Sequence, residues 1–281
     1  MADHRDQAPL NLVTQDSSGS EKDRQFVNSL ARGLEILRAF RAGDGVLGNQ
    51  EIAQRTGLPK PTVSRLTHTL TKLGYLTYSE RLGKYQLGTP VLSIGYALLA
   101  NLDIRQMSRP FMQELASYAN ASVALGGRDR LNMVYIEHCR GSETVTLRLD
   151  VGSHIPIATT SMGRAFLSAL PEAERDYLLD AIKQHAGEDW PTLKKQIERA
   201  QRDIEERGCC FSIGEWQSDV NGAGVPVKSP DGSTVMAFNC GGPSFVITRD
   251  MLENDLGPRL VNMVRGVEAA FTRGHALQAT A

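Results

Sequence analysis

A chain of 281 residues, 41% hydrophobic and 22% charged, has enough apolar surface for one large domain or two ordinary ones. No apolar run approaches the roughly 18 residues of a membrane span, and four cysteines (Cys139, Cys209, Cys210, Cys240) are too few for a disulfide framework, which points to a reducing cytoplasm. The net charge of −1 hides an imbalance: residues 26–88 hold nine Lys and Arg against four acids, a net of +5, leaving −6 for the rest. One part of the chain therefore suits a polyanion and the other does not.

Residues 1–25 are polar and aperiodic, lack the apolar centre of a signal peptide, and are expected to form a disordered arm. Leu30, Leu34, Leu37 and Phe40 then recur at helical spacing until Gly43, Gly45 and Gly48 break the pattern. A short helix over residues 49–56 carries Ile52 and Ala53 inward. A longer one places Val63, Leu66, Leu70 and Leu73 on one side, with Pro61 in its first turn and Gly74 after its end. "YLTYSERLGKYQLG" reads as a β-hairpin, and "TPVLSIGYALLANL" as an apolar helix. Asp103 can cap a further helix, expected to run past Pro110 to about Ala119.

From Ser122 the periodicity changes. "SVALGG", "LNMVYIEH" and "TVTLRLD" read as strands, and "SMGRAFLSAL" as a helix. Two more helices are expected between Pro171 and Arg207. Strands return at "CCFSI", "GAGVPVKS" and "STVMAFNC", with a hairpin turn at "SPDGS", and a last helix spans about Asp250 to Arg273.

The stretch "NQEIAQRTGLPKPTVSRL" has the spacing of a helix-turn-helix. Such a corner needs a small residue where the helices cross, a residue tolerant of positive φ in the turn, and a branched apolar residue facing back. Ala53, Gly57 and Val63 supply these in order. The hairpin that follows makes the unit winged. With the local positive charge, this predicts binding to double-stranded DNA. In that geometry the second helix enters the major groove. Arg65 is the strongest candidate for reading a base, since its guanidinium pairs bidentately with guanine. Thr62, Ser64 and His68 can touch bases or phosphates, and Thr69 supports them. Lys60 and the wing residues Arg81 and Lys84 are expected to neutralise phosphates, positioning the protein without reading sequence.

The chain resembles the IclR-type transcription regulators. The resemblance is carried by "SLARGLEILRAF", "EIAQRTGLPKPTVSRLTHTLTKLGYL", "KYQLG", "HIPIATTSMGRAFLSAL", "GEWQSDVNGAGVPVKSPDGS" and "FNCGGP", in the family's order. It implies an α+β architecture: a winged helix-turn-helix over 26–88, a linker helix over 89–103, and a GAF-like antiparallel sheet domain flanked by helices over 104–274, with a short tail. It also implies a homodimer or dimer of dimers on a pseudo-palindromic operator. Two positions depart from the family's habit. Gly48 stands where Ser or Thr usually caps, and Ser64 where a larger side chain is common.

The turn "TTSMGRAFL" runs from strand into helix. Its first N–H groups, at Ser161, Met162 and Gly163, form a seat for a carboxylate. The resemblance implies that this turn faces an effector pocket, together with "DVNGAGVP" and "FNCGG". The expected lining is Ser161, Met162, Gly163, Asp219, Asn221, Gly224, Asn239 and Gly241, around a small organic acid with room for an aromatic ring. The competing reading is that these glycines serve turns and packing. Another is that the second domain only oligomerises. Cys240, with His138 or His154, is the best candidate for thiol catalysis, but no triad is assembled in sequence, and neither catalysis nor a cofactor is expected. His138, Cys139, Cys209 and Cys210 match no zinc spacing, so no metal is expected.

Overall fold

The computed structural model describes residues 25–141, 149–229, 232 and 234–278, with side chains as far as residue 271. The chain divides into two units, Met1–Asn101 and Leu102–Ala281.

The first unit runs α1 (Asn28–Arg38), α2 (Asn49–Thr56), α3 (Lys60–Lys72), β1 (Leu76–Ser79), β2 (Lys84–Leu87) and α4 (Thr89–Ala100). Its core is Ile36, Ala39, Leu47, Ile52, Val63 and Leu76, with Ala53, Leu66, Leu70 and Tyr85 packed around it. Gly57 ends α2 at φ 70°, a left-handed turn that L side chains resist, and its N–H bonds the Ala53 carbonyl at 2.9 Å. Buried Thr67 reaches from α3 to Asn49 at the start of α2, 3.3 Å away, which pins the corner. β1 and β2 form the wing, and a bridge between Leu47 and Tyr85 ties it to the segment before α2. The expected apolar stripe of α1 divides. Ile36 enters the core, while Leu30 and Leu34 face outward.

Asp44 anchors the loop before α2. Its carboxylate takes both guanidinium nitrogens of Arg55, at 2.5 and 3.0 Å, and the Arg41 N–H at 2.6 Å. The hydrogen bond from Arg55 holds the Asp44 pKa below its usual value. A depressed carboxyl pKa stabilises the fold above the unfolded-state value, and this contribution disappears as pH falls through the folded-state value. Asp44→Asn should therefore cost about 1 kcal/mol at neutral pH. It should also flatten the fall in stability below about pH 4, read as thermal midpoints by circular dichroism across an acid titration.

In the second unit, α5 (Asp103–Ala119) precedes β3 (Ser122–Asp129), β4 (Asn132–Arg140) and β5 (His154–Pro156). Next come α6 (Ser161–Ala169), α7 (Glu172–Ala186) and α8 (Trp190–Arg207), then β6 (Cys210–Ile213), β7 (Val220–Lys228) and β8 (Val235–Pro243). A short α9 (Arg249–Met251) and a π-helical turn (Leu252–Leu256) lead into α10 (Gly257–Gln278). The strands form one antiparallel sheet in the order β5-β4-β3-β8-β7-β6.

Side chains alternate across this sheet. Val123, Leu125, Ala223, Val225, Phe238 and Cys240 belong to the main core with residues of α5 and α10, such as Met112, Leu115, Leu260 and Val264. α6 packs on β7 and β8 and against α8. It is buried almost all round, Arg164 included. β5, only three residues long, lies just ahead of the turn that leads into α6. Most of the strand expected at "TVTLRLD", and most of the "SPDGS" turn, lie outside the described residues.

Candidate nucleic-acid interface and ligand cavity

The buried side of α3 is spent on the corner, through Val63 and Thr67. Lys60, Ser64, Arg65, His68 and Thr69 are exposed, and Thr62 is half-buried. His68 stands four residues from Ser64 and three from Arg65, so it neighbours both on the exposed side of the helix. The Thr69 hydroxyl bonds back to the Arg65 carbonyl at 3.0 Å. Arg81 is exposed in the wing turn.

Lys84 has a partner within the first unit. Its ammonium lies 3.0 Å from the Glu51 carboxylate, and that carboxylate accepts the Gly48 N–H at 2.7 Å. The Gly48 N–H, then Lys84, hold Glu51 below the usual carboxyl range. Glycine offers no side-chain cap, so Glu51 covers the start of α2 from within, and Lys84 fastens the wing to it. The pair is part-exposed and contributes less than about 1 kcal/mol. Lys84→Ala should thus leave the salt dependence of DNA binding nearly unchanged. Arg81→Ala should lower the slope of log K against log salt by about one per protomer; anisotropy titrations at several salt concentrations compare the two.

The second unit holds a cleft between the sheet and the start of α6. Its floor follows from register. Ser122 of β3 pairs with Gly241 of β8, and Gly241 with Gly222 of β7, so one row of the sheet carries almost no side chain. The next row is Ala124, Asn239 and Gly224, leaving the Asn239 amide standing between two small neighbours. Thr160 and Ser161 at the start of α6, with Trp216, Ile155, Tyr135 and Asn221, complete much of the wall. The cleft encloses about 420 Å³, its open mouth included. Within it the centre of a water molecule can range over about 30 Å³, room for one or two waters.

Four of the eight expected lining residues, Ser161, Asn221, Asn239 and Gly241, border this cleft. The others stand elsewhere. Gly163 and Gly224 serve close packing: a Cβ on Gly163 would meet the Ile157 carbonyl oxygen at 2.1 Å, and one on Gly224 the Ser161 carbonyl oxygen at 2.3 Å. Met162 is fully buried over Gly126, and Asp219 is exposed, with its carbonyl accepting the Ser244 N–H at 2.7 Å. Of the three N–H groups expected to seat an anion, that of Gly163 is already taken by the Thr160 hydroxyl at 3.2 Å.

Three features of the cleft escape a reading of the sequence. Tyr135 is buried with its phenol accepting from the Asn239 amide at 3.3 Å, and burial pushes its pKa up to about 12, so it stays protonated. His138 Nε2 lies 2.5 Å from the Ser122 hydroxyl, and burial lowers its pKa, keeping the ring neutral. Arg164, wholly buried one turn along α6 from Ser161, donates to the Ala158 carbonyl at 2.8 Å, to Gln196 of α8 at 2.8 Å, and to Glu215. Glu215 also takes Arg199 of α8 and immediately precedes Trp216. The wall of the cleft is therefore held by an ion cluster. Alternation of small residues in "VNGAG" and "NCGG" was the one local signal of the floor.

Cys240 belongs to the core on the α5 and α10 side, and burial raises its thiol pKa to about 12. His154 bonds instead to Asp129 at 3.2 Å. Among the described residues no group of three or more His, Cys, Asp and Glu is placed to hold a metal ion. No helix among them is long and apolar enough to cross a membrane.

A basic winged helix-turn-helix joined to a sheet domain with a cleft defines a DNA-binding transcriptional regulator. Residues 29–80 match the IclR helix-turn-helix domain, and residues 96–268 the bacterial transcriptional regulator IclR C-terminal domain. The chain belongs to the IclR family, whose members are transcriptional regulators and not enzymes. It is 36% identical over 251 residues to the HTH-type transcriptional regulator TsaQ1/TsaQ2 of Comamonas testosteroni, covering 89% of this chain and 90% of that one. It superposes on the crystal structure of an IclR family transcriptional regulator from Brucella abortus with a TM-score of 0.83, at 51% identity, over 91% of this chain and 96% of the other. It shares its fold with an IclR homolog from Microbacterium hydrocarbonoxydans complexed with 4-hydroxybenzoate (TM-score 0.66, 20% identity, 87% and 99% covered).

Proposed function

We propose that this regulator binds its operator as a symmetric dimer, alone or paired, and that a small organic acid in the C-terminal cleft sets its operator affinity. The observation that carries the sensing half is the cleft itself, with its bare floor at Ser122, Gly222 and Gly241 beneath the first residues of α6. Backbone N–H groups at a helix start favour a carboxylate, and Ser161 adds a hydroxyl beside them, whereas the Thr160 hydroxyl already donates to the Pro156 carbonyl. Trp216, Ile155 and Tyr135 offer apolar faces for the rest of the molecule. The fold neighbour complexed with 4-hydroxybenzoate is consistent with this chemistry.

Reading is assigned to Arg65, with Thr62, Ser64 and His68 beside it, and phosphate contact to Lys60 and Arg81. The dimer reading rests on apolar surface. α4 has no buried residue, and Leu92, Ile94, Tyr96 and Leu98 are exposed, as are Leu30 and Leu34 of α1. Apolar exposure on this scale marks an interface, and a second copy would cover it while doubling the recognition helix. In this reading α4, within the proposed linker over 89–103, sets the separation of the two α3 helices, and ligand acts through it.

The test is linkage. In this reading an acid that raises the thermal midpoint of the full chain also changes its affinity for operator DNA, and the DNA changes the affinity for the acid by the same factor, because coupling is reciprocal. A panel of organic acids that moves neither quantity, with DNA binding intact, would leave the second domain as an oligomerisation module only.

A further inference from the structure

The cleft has a polar end that its own residues leave incomplete. Among the described residues, three buried side-chain polar atoms lack a hydrogen bond: Arg105 Nε, Thr159 Oγ1 and Asn239 Oδ1. Arg105 Nε has the Glu137 carboxylate 2.8 Å away, so its charge is met. Thr159 does not border the cleft; Asn239 does. The Asn239 amide nitrogen is used, since it donates to the Tyr135 phenol oxygen at 3.3 Å. Its carbonyl oxygen is left as an acceptor with no donor. The flanking positions of its sheet row, Ala124 and Gly224, have no polar side chain to offer. Tyr135 also borders the cleft, and its oxygen, having accepted from Asn239, still carries a proton to give.

A buried acceptor without a donor costs about 1–3 kcal/mol, and a native fold keeps such a group where something else completes it. The arrangement of a bare acceptor beside a bare donor fits a group that both gives and takes a hydrogen bond. A water does both, and so does a ligand hydroxyl that displaces it; a hydrogen, a methyl or an ether does not.

We propose that the ligand of this cleft is a hydroxylated acid, whose hydroxyl donates to Asn239 Oδ1 and accepts from the Tyr135 phenol while its carboxylate lies toward the start of α6. This rests on the organic-acid reading above and narrows it. Asn239 and Tyr135 then act as specificity residues: they contribute little to binding acids in general and discriminate against the analogue without the hydroxyl, because that analogue leaves the acceptor bare.

The test is isothermal titration of the full chain with matched pairs, 4-hydroxybenzoate against benzoate and lactate against propionate. The expected result is that, in at least one pair, the hydroxylated member binds about tenfold tighter or more. Asn239→Leu and, independently, Tyr135→Phe should reduce that ratio to about two or three, by weakening the hydroxylated member and leaving its parent unchanged. The phenylalanine variant keeps the ring and so guards against loss of fold. Equal binding within each pair, or a ratio that survives both substitutions, overturns the proposal and leaves the organic-acid reading standing. Binding of no member of either pair overturns the proposal and counts against that reading as well.

Discussion

Arg65→Ala is expected to abolish selective operator binding while the fold survives. Arg65 is exposed on the one face of α3 not used in packing, so its removal disturbs neither Val63 nor Thr67. A bidentate arginine–guanine contact is worth about 1–3 kcal/mol of discrimination, and a symmetric dimer makes it twice. The loss should therefore be about 2–6 kcal/mol, roughly thirty- to twenty-five-thousand-fold in the ratio of operator to random-sequence affinity. Anisotropy titrations with both duplexes measure that ratio, and the thermal midpoint of the variant should match that of the unaltered chain. A variant that still footprints the operator normally would refute the assignment of Arg65.

The second large effect is on stability. Arg164→Ala removes a wholly buried guanidinium and strands Glu215, whose side chain is 13% exposed, with Arg199 alone. Breaking a buried ion pair from one side costs about 3–5 kcal/mol, and the Ala158 carbonyl and the Gln196 amide lose a partner besides. Arg199→Ala is the control. Arg199 is about half exposed, and its removal should cost no more than about 1 kcal/mol. Urea unfolding followed by tryptophan fluorescence suits both, since Trp190 and Trp216 both lie in the second unit. Equal, small losses would show that the cluster is not what holds the Trp216 wall.

The first unit was largely legible because its signals are local. Ala53, Gly57 and Val63 fall within a dozen residues, and each answers to one demand of the corner. The role of Lys84 was not legible: its partner Glu51 is 33 residues away, and a lone wing lysine looks the same whether it meets phosphate or carboxylate. The strands of the second unit showed in their composition, but the cleft is a product of register. Its floor joins Ser122, Gly241 and Gly222, and the contact from Tyr135 to Asn239 spans 104 residues. Glycines at 163 and 224 read equally as ligand approach or close packing, and the backbone within 2.1–2.3 Å of a would-be Cβ decides for packing. Local pattern fixed elements and the corner; pairing across the sheet fixed the site.

The central claim is that an exposed, basic α3 reads DNA under the control of the cleft. The most direct measurement is the anisotropy of a labelled duplex from the chain's own upstream region, titrated with full-length protein at low salt, with and without 4-hydroxybenzoate and lactate. Saturable binding tighter than to a scrambled duplex, shifted by one of the acids, is the predicted result. Equal affinity for both duplexes, unmoved by either acid, would contradict it.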